Sequence, residues 1–289
     1  MFASRAQPVA SVLSAGIQTR NMGTLREIQL RLNSIKNIGK ITKSMKMIAS
    51  TKVNKAQRAM EQARIYGSAS SSIYDNAKTS QLENEDNIYI VSSSDRGLCG
   101  GIHSSVAKAT RKLITADGKT SGVVVLGDKA KNQMSRTNRA DIQLSFNQIG
   151  KAIPTFAEAC AAADTILKSD VKFDSATIVY NKFTSAIAYE AVPLRNFSIE
   201  ALKASENFAA YELDDEVLEN YNQFLFANNV YWGLVEGHAS EMSAKRTAME
   251  NATKNAGDMV DRLTMTYNRT RQAAITSELV DIITGASAL

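Results

Sequence analysis

Two long runs of three-and-four spacing dominate the chain, one near each end. Near the start, Leu25, Ile28, Leu32, Ile35, Ile38, Ile41, Met45 and Ile48 recur three or four residues apart. That spacing lines one face of an α-helix. Thr24 stands three residues before Glu27, a T-x-x-E capping box that starts the helix. After Val53 the stripe thins to Ala56, Ala59, Met60 and Ala63, and the helix is predicted to end near Lys78. Near the other end, Met242, Lys245, Met249, Ala252, Ala256, Met259, Leu263, Thr266, Thr270, Ala273, Ser277, Val280 and Thr284 hold a heptad seam for about six repeats. A period of 3.5 asks for a left-handed supercoil with a partner helix. No proline follows Pro193, so nothing forces this helix to break. The Ala, Thr and Ser positions bury little area but let two backbones approach closely, which predicts a thin rod.

Between the two runs the pattern changes to short apolar strands. Asn87–Ser94, Ser121–Gly127, Asp141–Phe146, Ser175–Phe183 and Ala186–Leu194 read as strands, the last two as a hairpin across Thr184–Ser185. Helices are expected at Ile102–Thr115, after the second strand, and from near Pro154 to about Lys168. Strands alternating with helices imply a mostly parallel sheet with an antiparallel edge. Six acids and no basic residue lie between Glu206 and Glu219, which reads as an exposed lead into the last helix from about Asp214. Tyr221, Phe224, Phe226, Tyr231 and Trp232 are expected to pack that helix against the α/β segment. The fold class is therefore α/β with long helices. The N- and C-terminal helices form an antiparallel two-helix coiled coil, with a central Rossmann-like α/β domain inserted between them. The expected divisions are 1–22, a leader; 23–80, the first coiled-coil helix; 81–205, the α/β domain; and 206–289, the last helix. Some 70 residues at 1.5 Å each make a rod of about 105 Å.

Charge refines this picture at both ends of the first helix. Residues 1–22 hold Arg5, Arg20, several Ser and Ala, and no acid, the composition of a mitochondrial transit peptide. Its removal takes the formal net charge from +5 to +3. From Gly23 to Tyr66 ten basic residues face only Glu27 and Glu61, a net of +8. A solvated face, an acidic protein partner and nucleic acid all fit such a helix. Nucleic acid usually brings stacking aromatics, and the first aromatic of this helix is Tyr66. No apolar run approaches the roughly 20 residues needed to span a bilayer.

Candidate chemistry is sparse. The turn Asp95–Gly101, DRGLCGG, lies between a strand and a helix but fits neither G-x-G-x-x-G nor G-x-x-x-x-G-K-[ST]. Its glycines read as a tight turn rather than a phosphate cradle. Ser93, Asp95 and His103 carry no triad order. Cys99 and Cys160 make no disulfide framework, and with His103 and His238 they give no cluster at metal-ligand spacing.

The segment Tyr267–Ala288, YNRTRQAAITSELVDIITGASA, resembles the C-terminal signature of gamma subunits of F-type ATP synthases. The pattern I-T-x-E-x-x-D-x-x-x-G-A is filled at Ile275, Thr276, Glu278, Asp281, Gly285 and Ala286. Leu32–Gln57, Ser93–Gly101 and Ala248–Ala256 are similar to further parts of that family, so the resemblance covers nearly the whole mature chain. It implies a central shaft inside a ring of catalytic subunits, coupling proton-driven rotation to ATP synthesis and doing no chemistry itself. Implied partners are the alpha and beta subunits of the catalytic head, the delta and epsilon stalk subunits and the membrane c-ring. The implied place is the matrix side of the mitochondrial inner membrane, with no cofactor, no nucleic acid and no direct membrane span. The resemblance puts Met45 opposite the acidic lever of a catalytic subunit, with Lys43 and Lys46 suited to that neighbour. It puts Arg271, Gln272, Thr276 and Glu278 at the ring's contacts with the upper shaft. Where the family commonly reads A-R-M-x-A-M, this chain has Ala244, Lys245, Arg246, Thr247, Ala248 and Met249, so a bidentate contact there is not implied.

Overall fold

The first helix, α1, spans Leu25–Ala77 and starts at the expected capping box. The Thr24 amide donates to the Glu27 carboxylate at 2.9 Å, and the Glu27 amide donates to Thr24 Oγ1 at 3.4 Å. The chain is seen in a computed structural model that describes residues 24–82, 85–117, 122–211 and 214–288. The leader expected at 1–22 lies outside them. Two compact units result, one drawn from Met1–Asn37 and Gly257–Leu289, the other Ile38–Ala256.

The larger unit is built on a five-stranded sheet. Its strands are β1 (Asn87–Ser92), β2 (Val123–Leu126), β3 (Ile142–Phe146), β4 (Ser175–Phe183) and β5 (Tyr189–Asn196), in the order β3-β2-β1-β4-β5. The first four run parallel and β5 is antiparallel, as the alternating pattern predicts. β1, β2 and most of β4 are buried on both faces, which explains their unbroken apolar runs. On one face α2 (Ile102–Asp117) and α3 (Asp128–Met134) cover Tyr89, Val91, Val123, Val125 and Val179. On the other, α4 (Phe156–Leu167) and the last helix, α6 (Asp215–Ser287), cover Ile88, Ile90, Val124, Leu126, Ala176 and Ile178. Phe226 and Tyr231 belong to this second core, as expected, whereas Tyr221 packs in a separate cluster with Ile73 and Leu218, and Phe224 is exposed. Two short elements escaped the sequence pattern, α5 (Ile199–Lys203) and a 3-10 turn at Phe208–Ala210. Each is too short to show a helical period.

Within the same unit α1 and α6 run antiparallel. Gly39 lies against Ala256, Thr42 against Thr253, Lys46 against Glu250, Arg64 against Glu236 and Ser71 against Asn229, so one number falls as the other rises. Val53, Ala56, Met60 and Ala63 of α1 bury against Val235, Ala239 and Met242 of α6. At Gly67 an added Cβ would lie 2.7 Å from the Trp232 ring, so only glycine permits this approach. The buried Glu236 carboxylate fastens three elements. It pairs with Arg64, accepts from Trp232 Nε1 at 2.6 Å and accepts from the Phe183 amide at 3.2 Å.

Two parts of the expected seam differ. On α1 the three-and-four spacing predicts a buried stripe through Ile38, Ile41 and Ile48, yet Ile41 is 59% and Ile48 58% exposed, while Thr42 and Ala49 are buried. Small residues sit inside because the helices are close there. A Cβ on Gly39 would be 3.5 Å from that of Ala256, and Thr253 Oγ1 lies 2.9 Å from Thr42 Oγ1. An isoleucine cannot occupy that space.

In the smaller unit α1 buries Leu32 and Ile35 and half-buries Leu25 and Ile28. On α6 the covered positions after Ala256 are Val260, Leu263, Tyr267, Thr270 and Ala274, not Met259, Thr266 and Ala273. The step from Ala256 is four residues rather than three. A 3.6-residue helix drifts against a 3.5 repeat, so either phase satisfies the pattern. Ser277, Val280 and Thr284 are exposed along with every described residue after Ala274. None of the described helices is long and apolar enough to cross a membrane.

Candidate functional site

The displacement of Ile38, Ile41 and Ile48 from the seam creates a surface. These residues and Met47 stand exposed on α1, beside the exposed Lys40 and Lys43. Met45 and Lys46 are half-buried at its edge. Lys46 Nζ lies 2.7 Å from Glu250 of α6, whose carboxyl is held below the usual range first by that hydrogen bond and then by the lysine's charge. Both partners are solvated, so the pair orients Lys46 more than it stabilises the fold.

Met45 and Ile48 also line a cavity of about 590 Å³. Lys52 and Lys55 reach it from α1, Arg96 from the loop after β1, Lys151 from the loop after β3, and Lys245 from α6. No carboxylate is among its lining residues. Reading along the chain found the basic face of α1 but missed this convergence, because Arg96 and Lys151 arrive through the fold. Lys245, the departure from the family pattern, is one of the five cations. His238 also lines the cavity. Burial, with Lys52 adding to it, pushes its pKa down to about 4.

That shift sets a pH dependence. Between the ordinary value of 6.5 and about 4 the unfolded chain takes up a proton that folded His238 refuses. Stability from this group is complete above pH 6.5 and is lost as pH falls toward 4. At about 1.4 kcal/mol per unit the loss reaches about 3 kcal/mol. The wild-type chain is expected to lose that much more than His238→Asn between pH 7 and 4, measured by urea unfolding.

Arg271, Gln272, Thr276 and Glu278 all lie exposed on α6 in the smaller unit. Thr276 Oγ1 donates to the Gln272 carbonyl at 2.9 Å. These four belong to a different unit from Lys43, Met45 and Lys46.

The Gly-rich turn binds its own fold. Ser93 Oγ donates to the Leu126 carbonyl at 2.8 Å, and Asp95 Oδ1 accepts from the Asp128 amide at 2.8 Å. His103 Nε2 donates to the Arg96 carbonyl at 3.0 Å. These bonds employ Ser93, Asp95 and His103 separately, and no nucleophile-base-acid chain connects them. The turn does differ from expectation in one respect. Cys99 and His103 meet Glu241 of α6, with one donor atom of each within 4.8 Å of the others.

The architecture is that of an α/β domain carried between two long helices, α1 and α6, which pair antiparallel within the larger unit. Comparison with known proteins identifies it further. Residues 24–289 match the ATP synthase family. The chain is 48% identical to the mitochondrial ATP synthase subunit gamma of Yarrowia lipolytica, over 100% of both chains. It is 46% identical to the mitochondrial ATP synthase F(1) complex subunit gamma of Rattus norvegicus, over 92% of this chain and 99% of that one. A chain of the Euglena gracilis mitochondrial ATP synthase shares the fold at a TM-score of 0.75 and 20% identity, covering 92% of this chain and 94% of that chain. One from the Tetrahymena thermophila mitochondrial ATP synthase central stalk and c-ring does so at 0.62 and 24% identity, covering 73% and 99%. The chain belongs to the family of mitochondrial ATP synthase gamma subunits.

Proposed function

We propose that the exposed flank of α1 is where this rotor subunit meets the catalytic head. Lys43, Met45 and Lys46, with Ile38, Ile41 and Ile48, face the acidic lever of a beta subunit. Arg271, Gln272, Thr276 and Glu278 contact the alpha and beta subunits around the upper shaft. The α/β domain, residues 81–205, rests against the delta and epsilon subunits and the c-ring on the matrix side of the inner membrane. The coiled-coil segments 23–80 and 206–289 carry torque between the two ends.

One observation supports this reading above the others. Large apolar side chains stand beside lysines on a face of α1 that no described residue covers, while the helix seam beneath uses smaller ones. Apolar area next to positive charge suits an acidic protein surface with an apolar centre.

Replacing Gln272 and Thr276 together by alanine tests the upper contacts. Both side chains are exposed, so the isolated chain is expected to stay within about 0.5 kcal/mol of wild type. ATP synthesis by energised membranes is expected to fall several-fold. Unchanged synthesis in the double variant would remove these residues from the coupling surface.

A further inference from the structure

We propose that Cys99, His103 and Glu241 form a binding site for a divalent cation of the zinc type, at the topological switch point of the α/β domain. The strand order β3-β2-β1-β4-β5 makes the chain reverse direction across the sheet between β1 and β4. In open α/β folds ligands bind outside the carboxyl ends of the strands at that point. Here α6 covers the crevice. The turn after β1 brings Cys99 and, four residues on, His103 at the start of α2. Glu241 comes down from α6 to meet them.

Two of the three ligand separations match those around a tetrahedral ion, and all three ligand atoms lie within 4.8 Å of one another. Cys99 Sγ lies 3.7 Å from His103 Nε2 and 3.6 Å from Glu241 Oε1. Zinc bonds of about 2.3 Å to sulfur and 2.0 Å to nitrogen or oxygen place tetrahedral ligands about 3.5 Å apart. The Arg96 carbonyl, 3.0 Å from Nε2 and 3.6 Å from Sγ, stands where a fourth donor is needed. A thiolate, an imidazole and a carboxylate together favour zinc over magnesium or calcium. Cys99 and Glu241 are each 2% exposed and His103 is 9% exposed, so water competes little for the site.

A second observation lies beside it. His103 and Glu241 line a cavity of about 20 Å³ together with Asn181 and His238. Asn181 Oδ1 and His238 Nδ1 are buried there without a hydrogen-bond partner. A bound ion with an ordered water would give them one. His238 and Gly150 also line the large basic cavity.

Charge and protons balance. Burial pushes the Cys99 thiol up to about 12 and Glu241 up to about 7, and pushes the His103 imidazole down. Binding releases the thiol proton and whatever proton Glu241 carries, and the ring proton of His103 moves to Nδ1. The ion's two positive charges then meet one thiolate and one carboxylate. The filled site is neutral and is not repelled by Lys129 or Lys245. It also ties the turn after β1 to α6 inside the larger unit.

The test uses the full chain with Co(II) as the probe. One equivalent is expected to give a thiolate-to-cobalt charge-transfer band with the visible intensity of four-coordinate cobalt, displaced by zinc. Cys99→Ser, Glu241→Gln and His103→Gln should each weaken binding about 100-fold or more, and Cys160→Ser should leave it unchanged. Circular dichroism checks that each variant is folded. The absence of a thiolate band in the wild-type chain overturns the proposal. So does a band that survives Cys99→Ser or disappears in Cys160→Ser.

Discussion

Arg64→Ala is expected to lower the unfolding free energy of the chain by about 3–5 kcal/mol, because it strands a carboxylate that nothing else neutralises. The Glu236 side chain is 0% exposed and that of Arg64 is 38% exposed. The asymmetry decides which partner matters more. Removing Glu236 leaves a guanidinium that reaches water and still donates to the Phe183 carbonyl at 3.1 Å. Removing Arg64 leaves a buried charge with only the Trp232 indole and the Phe183 amide as donors. Glu236→Gln keeps an acceptor for one of those donors and is expected to cost about 1–2 kcal/mol. Urea unfolding followed by circular dichroism separates the two. A loss under 1 kcal/mol for Arg64→Ala would place the pair among ordinary solvated salt bridges.

Replacing Ile41 and Ile48 together by aspartate is expected to leave the isolated chain near wild-type stability and to disable coupling. Both side chains are more than half exposed, so neither change opens a cavity in the fold. In the assembled complex the same side chains would face an acidic, partly apolar surface. Two lost apolar contacts of about 1.5–3 kcal/mol each, with like charge added, weaken that contact at least 100-fold. The ratio of protons pumped to ATP hydrolysed in membrane vesicles is expected to fall about tenfold. The opposite outcome, a destabilised chain with normal coupling, would return these residues to the helix seam.

Local signals in the sequence predicted local structure well. Thr24 and Glu27 announced the start of α1, and the apolar run Ser175–Phe183 is β4 residue for residue. The hairpin after it turns through Thr184–Ala188, not two residues, because Ser185 Oγ accepts from the Ala188 amide at 3.1 Å and widens the loop. The seam's phase was not legible, since a periodic pattern fixes spacing but not which of two adjacent rows faces inward. Close approach at Gly39 and Thr42 settled it in favour of small residues. The basic cavity was half legible. Lys52 and Lys55 follow from the α1 pattern, whereas Arg96 and Lys151 depend on the sheet that delivers their loops. Cys99 and His103 sit four apart in plain view, but Glu241 is 142 residues from Cys99 and only the packing of α6 brings it there.

The most direct test of the docking surface is a photoreactive residue placed at position 41 of the assembled synthase, with the cross-linked product identified by mass spectrometry. The uncovered flank of α1 predicts a product joining this chain to a subunit of the catalytic head. A product closed within the chain, from position 41 to α6, would contradict it and put Ile41 back in the seam.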